Sequence, residues 1–221
     1  MLRPLGFIPF PAFAAAWTTV ALLTYWWLLR PLAAPARVAS LLAGFTFALN
    51  GNVEWLLALM VVIGVTYPSA WLLAAFTKIT PFLGFGWYVL WRDWLAVRNT
   101  ILIGAMLVGI TAVLMPDAWG TWIAIVGQVP NQPAQAGPLM PLIPLAPRLV
   151  AAAGLVAWGA WRRQPTTLPL VLILAQPDLE PWMLGYLAAL PRLWRTSERA
   201  AIDEVGTAAL PSCASPTSAA T

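Results

Sequence analysis

Twenty-three consecutive residues, 7–29, carry no charge, and the run ends in Tyr25-Trp26-Trp27 just ahead of Arg30. A spanning helix needs roughly 20 apolar residues, and an aromatic cluster before an arginine is what a membrane interface favours. The constraint is severe, because in hydrocarbon every backbone polar group must be satisfied within the chain, which leaves only helices or closed barrels. A secretory leader is the competing reading, since Ala12-Phe13-Ala14 resembles a cleavage site. The apolar stretch before it is too short and contains Pro9 and Pro11, which excludes it. The remainder of the chain agrees: 61% of its 221 residues are hydrophobic and 9% charged, with a mean hydropathy of +0.78. Soluble domains carry about 25% charged residues. A soluble enzyme, a nucleic-acid-binding module and a disordered chain are thereby excluded. The net charge of +4 does not reopen them, since the basic residues lie singly between apolar runs.

Further apolar runs cover residues 38–49 (extending back over 32–34 if Arg37 snorkels), 53–67 (interrupted only by Glu54 at its start), 100–115 and 149–161. Two regions break the pattern. Residues 69–91 are long enough to cross, but Lys78 and Pro81 divide them into halves at 70–77 and 82–91. Residues 168–175 and 182–193 are likewise short halves, around Pro177-Asp178-Leu179-Glu180-Pro181. Paired half-length helices predict re-entrant hairpins, which a membrane tolerates where protein or water surrounds them. The expected fold is therefore an all-α membrane protein with about five transmembrane helices and two re-entrant helical hairpins. It forms one polytopic domain over 1–195 and a disordered cytoplasmic tail over 196–221. Residues 119–126 predict a short interfacial helix, with the proline-rich segment up to Arg148 as a stiffened external loop.

With the N-terminus outside, nine basic residues (Arg30, Arg37, Arg92, Arg98, Arg162, Arg163, Arg192, Arg195 and Arg199) face the cytoplasm, and Arg3 and Arg148 lie outside. That asymmetry obeys the positive-inside rule only if both broken regions return to the side they entered from. The expectation is a multi-pass protein of the plasma (inner) membrane with a cytoplasmic C-terminus.

The chain has no histidine and a single cysteine, Cys213, so His-based metal sites, nucleophile–His triads and intramolecular disulfides are absent; no metal or cofactor is expected. Intramembrane charges are the functional candidates. Lys78, at a hairpin tip, reads either as a counter-charge for a lipid-linked phosphate or as half of a structural pair with Glu54, Asp178 or Glu180. Asn50-Gly51-Asn52-Val53-Glu54 reads as a turn with Asn52 capping the next helix, or as an outward-facing set of amides and a carboxylate suited to sugar hydroxyls. Asp178 and Glu180 are paired acids on a turn, and serve topology or proton transfer. Asp117 is expected to cap the Trp119 helix. The tryptophans read as interfacial anchors, with Trp55 and Trp182 as candidate sugar-stacking faces.

Phe47-Ala-Leu-Asn-Gly-Asn-Val-Glu54, Tyr67-Pro-Ser-Ala-Trp71, Leu72-Leu-Ala-Ala-Phe-Thr-Lys-Ile-Thr-Pro81, Arg92-Asp-Trp94, Met115-Pro-Asp-Ala-Trp-Gly-Thr-Trp122 and Val156-Ala-Trp-Gly-Ala-Trp-Arg-Arg163 together resemble the later half of glycosyltransferase family 87. The resemblance extends roughly over residues 12–195. It implies a GT-C-type bundle and hexosyl or mannosyl transfer from a polyprenyl-phosphate sugar to an acceptor on the outer face. Lys78 would then hold donor phosphate, and Asn50, Asn52, Glu54, Asp178 and Glu180 would line the substrate site. Such enzymes place a catalytic acid in a first large external loop. That part has no counterpart here, so a truncated or split form is expected, with a second polytopic chain as partner beside the lipid donor and membrane lipids. A transporter or flippase-like subunit and a non-catalytic membrane scaffold are the alternative readings.

Overall fold

The computed structural model describes residues 9–78, 80–128, 144–176 and 180–208. Among them every regular element is helical, with no strand. In chain order the α-helices are α1 (Phe10–Leu29), α2 (Ala34–Leu49), α3 (Glu54–Thr66), α4 (Ala70–Thr77), α5 (Gly86–Leu90), α6 (Trp94–Leu114), α7 (Pro116–Gln128), α8 (Leu145–Arg162), α9 (Leu168–Ala175) and α10 (Leu190–Ala208). Tighter 3-10 segments, Thr80–Phe85, Pro165–Thr167 and Pro181–Ala189, join α4 to α5, α8 to α9 and α9 to α10.

Two helices, α1 and α6, are long and apolar enough to cross a membrane. Both bury little of themselves in the protein and leave large side chains such as Leu23, Ile101, Met106 and Val113 exposed. The five full spans expected from the apolar runs are thus reduced to two, or to three if α2 and α3 count as one. Those two helices meet at a bend of 119°. The bend has a local cause. Asn50 ends α2, and Gly51 takes a positive φ of 71°, a conformation open to glycine at little cost. The α8 helix begins at Leu145, earlier than expected, and so includes Arg148. Two arginines, Trp158 and Trp161 dilute its apolar character. Its small residues Ala152, Gly159 and Ala160 instead serve close packing inside the protein.

Both broken regions have the predicted first halves and breaks, but after the second break Pro181–Ala189 runs directly into α10 instead of ending near residue 193. The α4 helix stops at Thr77, where Lys78 turns extended (φ −146°, ψ 133°), and α9 stops at Ala175, where Gln176 does the same. Pro81, second in Thr80–Phe85, and Pro181, first in Pro181–Ala189, each lack an N–H at the start of a 3-10 segment. The core sits between these pieces: α3 is apolar on all sides and packs against α4 and Pro181–Ala189, and α9 packs against α8 and Thr80–Phe85. Trp71 on α4 is 0% exposed and lies against Gly64 of α3 and Gly84 beyond the break. A Cβ at Gly64 would stand 2.6 Å from the indole nitrogen, and one at Gly84 would overlap the ring.

Helix termini differ in detail from expectation. Asn52 does not cap α3 from the N-cap position; Val53 occupies it, and Asn52 Oδ1 accepts the Val53 N–H at 2.8 Å. Asp93 caps α6, its Oδ1 accepting the Ala96 N–H at 3.0 Å. The interfacial helix extends to both sides of 119–126, which places Asp117 within its first turn, where an acid complements the helix dipole. The tail expected to be disordered from residue 196 is helical through Ala208, because α10 continues without a proline or glycine between Pro191 and Gly206. The proline-rich segment 129–143 and the final residues 209–221 lie outside the described residues.

Candidate functional site

The break after α4 places the Lys78 ammonium beside the first residue of α3. Lys78 Nζ donates to Glu54 Oε1 at 2.7 Å. The Glu54 side chain is 0% exposed and that of Lys78 is 31% exposed. The asymmetry matters: the carboxylate is wholly inside the protein, and the lysine reaches it from a surface. Of the three acids offered as partners for Lys78, Glu54 is seen paired with it; Asp178 lies outside the described residues.

Around Glu54 the fold assembles polar groups from several elements. The site for a Cβ on Gly185 lies 2.8 Å from the Tyr25 hydroxyl of α1 and 3.1 Å from Glu54 Cβ. Only glycine permits that approach. Tyr25 OH and Glu54 Oε2 are both buried and have no hydrogen-bond partner among the described residues. Next along the same segment, Tyr186 OH accepts from Gln176 Nε2 at 2.9 Å, and the Gln176 carbonyl accepts from Arg148 Nη1 at 2.7 Å. Thus α3 begins, and α4 and α9 end, around one buried polar layer. An isolated carboxylate in such surroundings is costly, so the Lys78 contact compensates it directly.

The remaining sequence candidates fall elsewhere. Asn50 Nδ2 donates to the Thr46 carbonyl at 3.0 Å, so this amide, like that of Asn52, serves its own helix end. No hydrogen bond joins either to Lys78 or Glu54 among the described residues. Glu54 itself is interior and presents no carboxylate outward, contrary to the reading in which it faces sugar hydroxyls. Asp178 lies outside the described residues, and Glu180 is partly buried at the start of Pro181–Ala189. Trp55 is buried edge-on against Trp17, with ring centroids 5.1 Å apart, and offers no free face for stacking. Trp182 packs partly buried against the core.

The exposed side of Lys78 opens on a groove of about 740 Å³. Its walls are Leu72, Leu73 and Phe76 of α4, Leu107 and Val108 of α6, and Trp119 and Trp122 of α7. Polar atoms are few. Thr111 Oγ1 accepts the Trp119 indole N–H at 3.2 Å, and Thr77 Oγ1 donates back to the Ala74 carbonyl at 2.7 Å. Among the described residues, Lys78 is the one charged residue lining the groove. An apolar channel ending at an ammonium can hold a long hydrocarbon chain and the anion attached to it.

Sequence reasoning misses Tyr25, Gln176, Arg148 and Gly185. By sequence Tyr25 groups with Trp26 and Trp27 as an interfacial cluster, yet it is buried while the two tryptophans are exposed. A period-3.6 reading of α1 places Ala21, Tyr25 and Leu28 on one stripe, which is the available signal. The chain matches no protein-family model, no characterised protein and no solved structure in these comparisons.

Proposed function

We propose that the chain is a multi-pass inner-membrane protein that holds a polyprenyl-phosphate-linked sugar and forms part of a GT-C-type hexosyl- or mannosyltransferase. The observation that carries this reading is Lys78 at the end of an apolar groove, anchored from behind by buried Glu54. In this reading the isoprenoid chain lies between α4, α6 and α7, and the donor phosphate takes the exposed side of the ammonium. That phosphate is the leaving group in sugar transfer, so a fixed cation beside it stabilises the charge that develops. The acidic residue that activates the acceptor hydroxyl then comes from a second polytopic chain or a further segment.

The test is binding of a polyprenyl phosphate to Glu54→Gln and to Glu54→Gln/Lys78→Met. Both remove the buried carboxylate, so they differ only in the cation. The double variant is expected to bind at least ~10-fold more weakly, about 1.4 kcal/mol. Equal binding refutes the phosphate role of Lys78.

The proposed orientation has the N-terminus outside, the arginine-bearing turns at residues 30–37, 92–98, 162–163 and 192–195 on the cytoplasmic side, and both broken regions returning to that side. It is supported by where the arginines meet. Arg192 and Arg195 donate to carbonyls of Trp27 and Pro31, beside Arg30, and Arg163 lies over the Trp91 ring, beside Arg92. Residues assigned to one side by charge are therefore neighbours in space. In a Cys213→Ser background, cysteines at Ser69, Asn99 and Gln164 are expected to be shielded from an impermeant thiol reagent added outside, and one at Asp117 to react. Labelling of Asn99 from outside removes the first hairpin from the topology.

A transporter or flippase-like role is the second reading, favoured by the broken helices that converge on the Glu54 layer, since such ends also form substrate sites in transporters. It predicts movement of the lipid-linked sugar across reconstituted vesicles without glycosidic transfer.

A further inference from the structure

A second groove, of about 560 Å³, runs between α1 and α2 and shares no helix with the groove at Lys78. Its walls are Leu22, Leu23 and Trp26 from α1 and Val38, Leu42 and Phe45 from α2. Between Thr19 and Trp26 it follows α1 for seven residues, about 10 Å of helix. At the turn between the two helices it meets a group of arginines. The Arg37 guanidinium lies 5.2 Å from the centroid of the Trp26 ring, and its Nη2 donates to the Leu32 carbonyl at 2.9 Å. Arg30, the residue ending α1, is exposed. From α10, Arg195 Nη2 donates to the Pro31 carbonyl at 3.3 Å, and Arg192 donates through Nε and Nη2 to the Trp27 carbonyl at 2.9 and 2.6 Å.

Four arginines thus meet at one turn, and three of them, Arg37, Arg192 and Arg195, bond to its carbonyls. A guanidinium has five N–H donors, so one bond to a carbonyl leaves most of them available. Arg30, Arg37 and Arg195 have no carboxylate partner among the described residues. Positive charge concentrated this way is repulsive unless an anion joins it. Guanidinium pairs also match the fork geometry of phosphate oxygens. The exposed Trp26 and Trp27 rings fix the depth of the turn at a headgroup layer.

We propose that the α1–α2 groove and the Arg30–Arg37–Arg195 cluster form a binding site for an anionic phospholipid. The acyl chain lies against Leu23 and Leu42, and the headgroup phosphate is held by the arginines. In the orientation proposed above this turn faces the cytoplasm, whose leaflet carries anionic lipid. The site ties α10 to the α1–α2 turn through a shared ligand as well as through the carbonyl contacts.

The test uses the full chain purified in a neutral detergent. Binding of phosphatidylglycerol is compared with that of phosphatidylcholine with the same acyl chains, by native mass spectrometry and by thermal shift. Phosphatidylglycerol is expected to remain bound and to raise the melting temperature, phosphatidylcholine much less. Arg30→Gln/Arg37→Gln is expected to weaken phosphatidylglycerol binding about 10-fold or more, since charge-assisted bonds are lost. Because Arg37 also steadies the turn, a second variant leaves every charge in place. Leu42 is 65% exposed, so Leu42→Trp fills the groove without disturbing the core and is expected to reduce lipid binding while the lipid-free melting temperature stays unchanged. Inorganic phosphate at the same concentration is expected to compete poorly. Equal retention of the two lipids, undiminished binding by either variant, or equal competition by inorganic phosphate overturns the assignment.

Discussion

Lys78→Met is expected to destabilise the protein far more than Glu54→Gln, although each removes one half of the same 2.7 Å pair. The reason is where each partner sits. Without the ammonium, Glu54 is left as an uncompensated charge at 0% exposure, and breaking a buried pair in that way costs about 3–5 kcal/mol. Without the carboxylate, Lys78 keeps its route to the groove surface and can hydrate, so the loss is closer to that of one hydrogen bond, about 1 kcal/mol. The double variant Lys78→Met/Glu54→Gln should recover most of the stability, because no charge is then stranded. Thermal or denaturant unfolding of the four proteins in detergent gives a complete double-mutant cycle. Equal losses from the two single substitutions would mean that Glu54 is not desolvated as described. The cycle also separates the pairing of Lys78 from its proposed role toward lipid phosphate. Stability reads its pairing with Glu54, and lipid-phosphate binding in the Glu54→Gln background reads its outward side.

The second large effect belongs to Trp71. Its indole fills the space left by Gly64 and Gly84, and so joins α3, α4 and the segment after the break. In a lipid solvent, helices gain little from apolar burial against one another, and close packing carries more of the association. Trp71→Ala is therefore expected to cost about 3–5 kcal/mol, as a large aromatic removed from a closely packed interior does. Gly84→Val should be destabilising for the opposite reason, since a side chain there would overlap the ring. The same unfolding assay measures both. A loss below about 1 kcal/mol for Trp71→Ala would mean that the three pieces are held together by other contacts.

The broken regions were legible because they depend on local chemistry. A charge and a proline within an apolar run leave the backbone few ways to continue, and the ends of α4 and α9 at Thr77 and Ala175 follow from that. The number of full spans was not legible. Hydropathy sums along the chain and cannot register the angle at Gly51, which sets α2 and α3 at 119°. Nor does it distinguish an apolar helix left largely exposed, such as α6, from one mostly packed within the protein, such as α3. The Lys78 partner was narrowed to three acids and then required the fold, because Glu54 lies 24 positions away on another helix. The polar groups around Glu54 were obscured for a related reason: Gln176 and Gly185 carry no signal in sequence, Tyr25 shows only the stripe it shares with Ala21 and Leu28, and the three meet only through the packing of α1, α3, α9 and Pro181–Ala189. The extent of α10 was missed because a small, polar composition reads as disorder over the whole tail, although 196–208 contains good helix formers.

The walls of the Lys78 groove include side chains that are themselves open to the surroundings, among them Phe76, Val108 and Trp122. On the reading proposed above, a ligand with a hydrocarbon tail therefore enters sideways from the bilayer without passing through water. Its encounter with the protein is then a two-dimensional search, and occupancy follows the mole fraction of lipid phosphate in the leaflet and not its aqueous concentration. Diluting the membrane with neutral lipid at constant total ligand should empty the groove, and adding buffer should leave it filled.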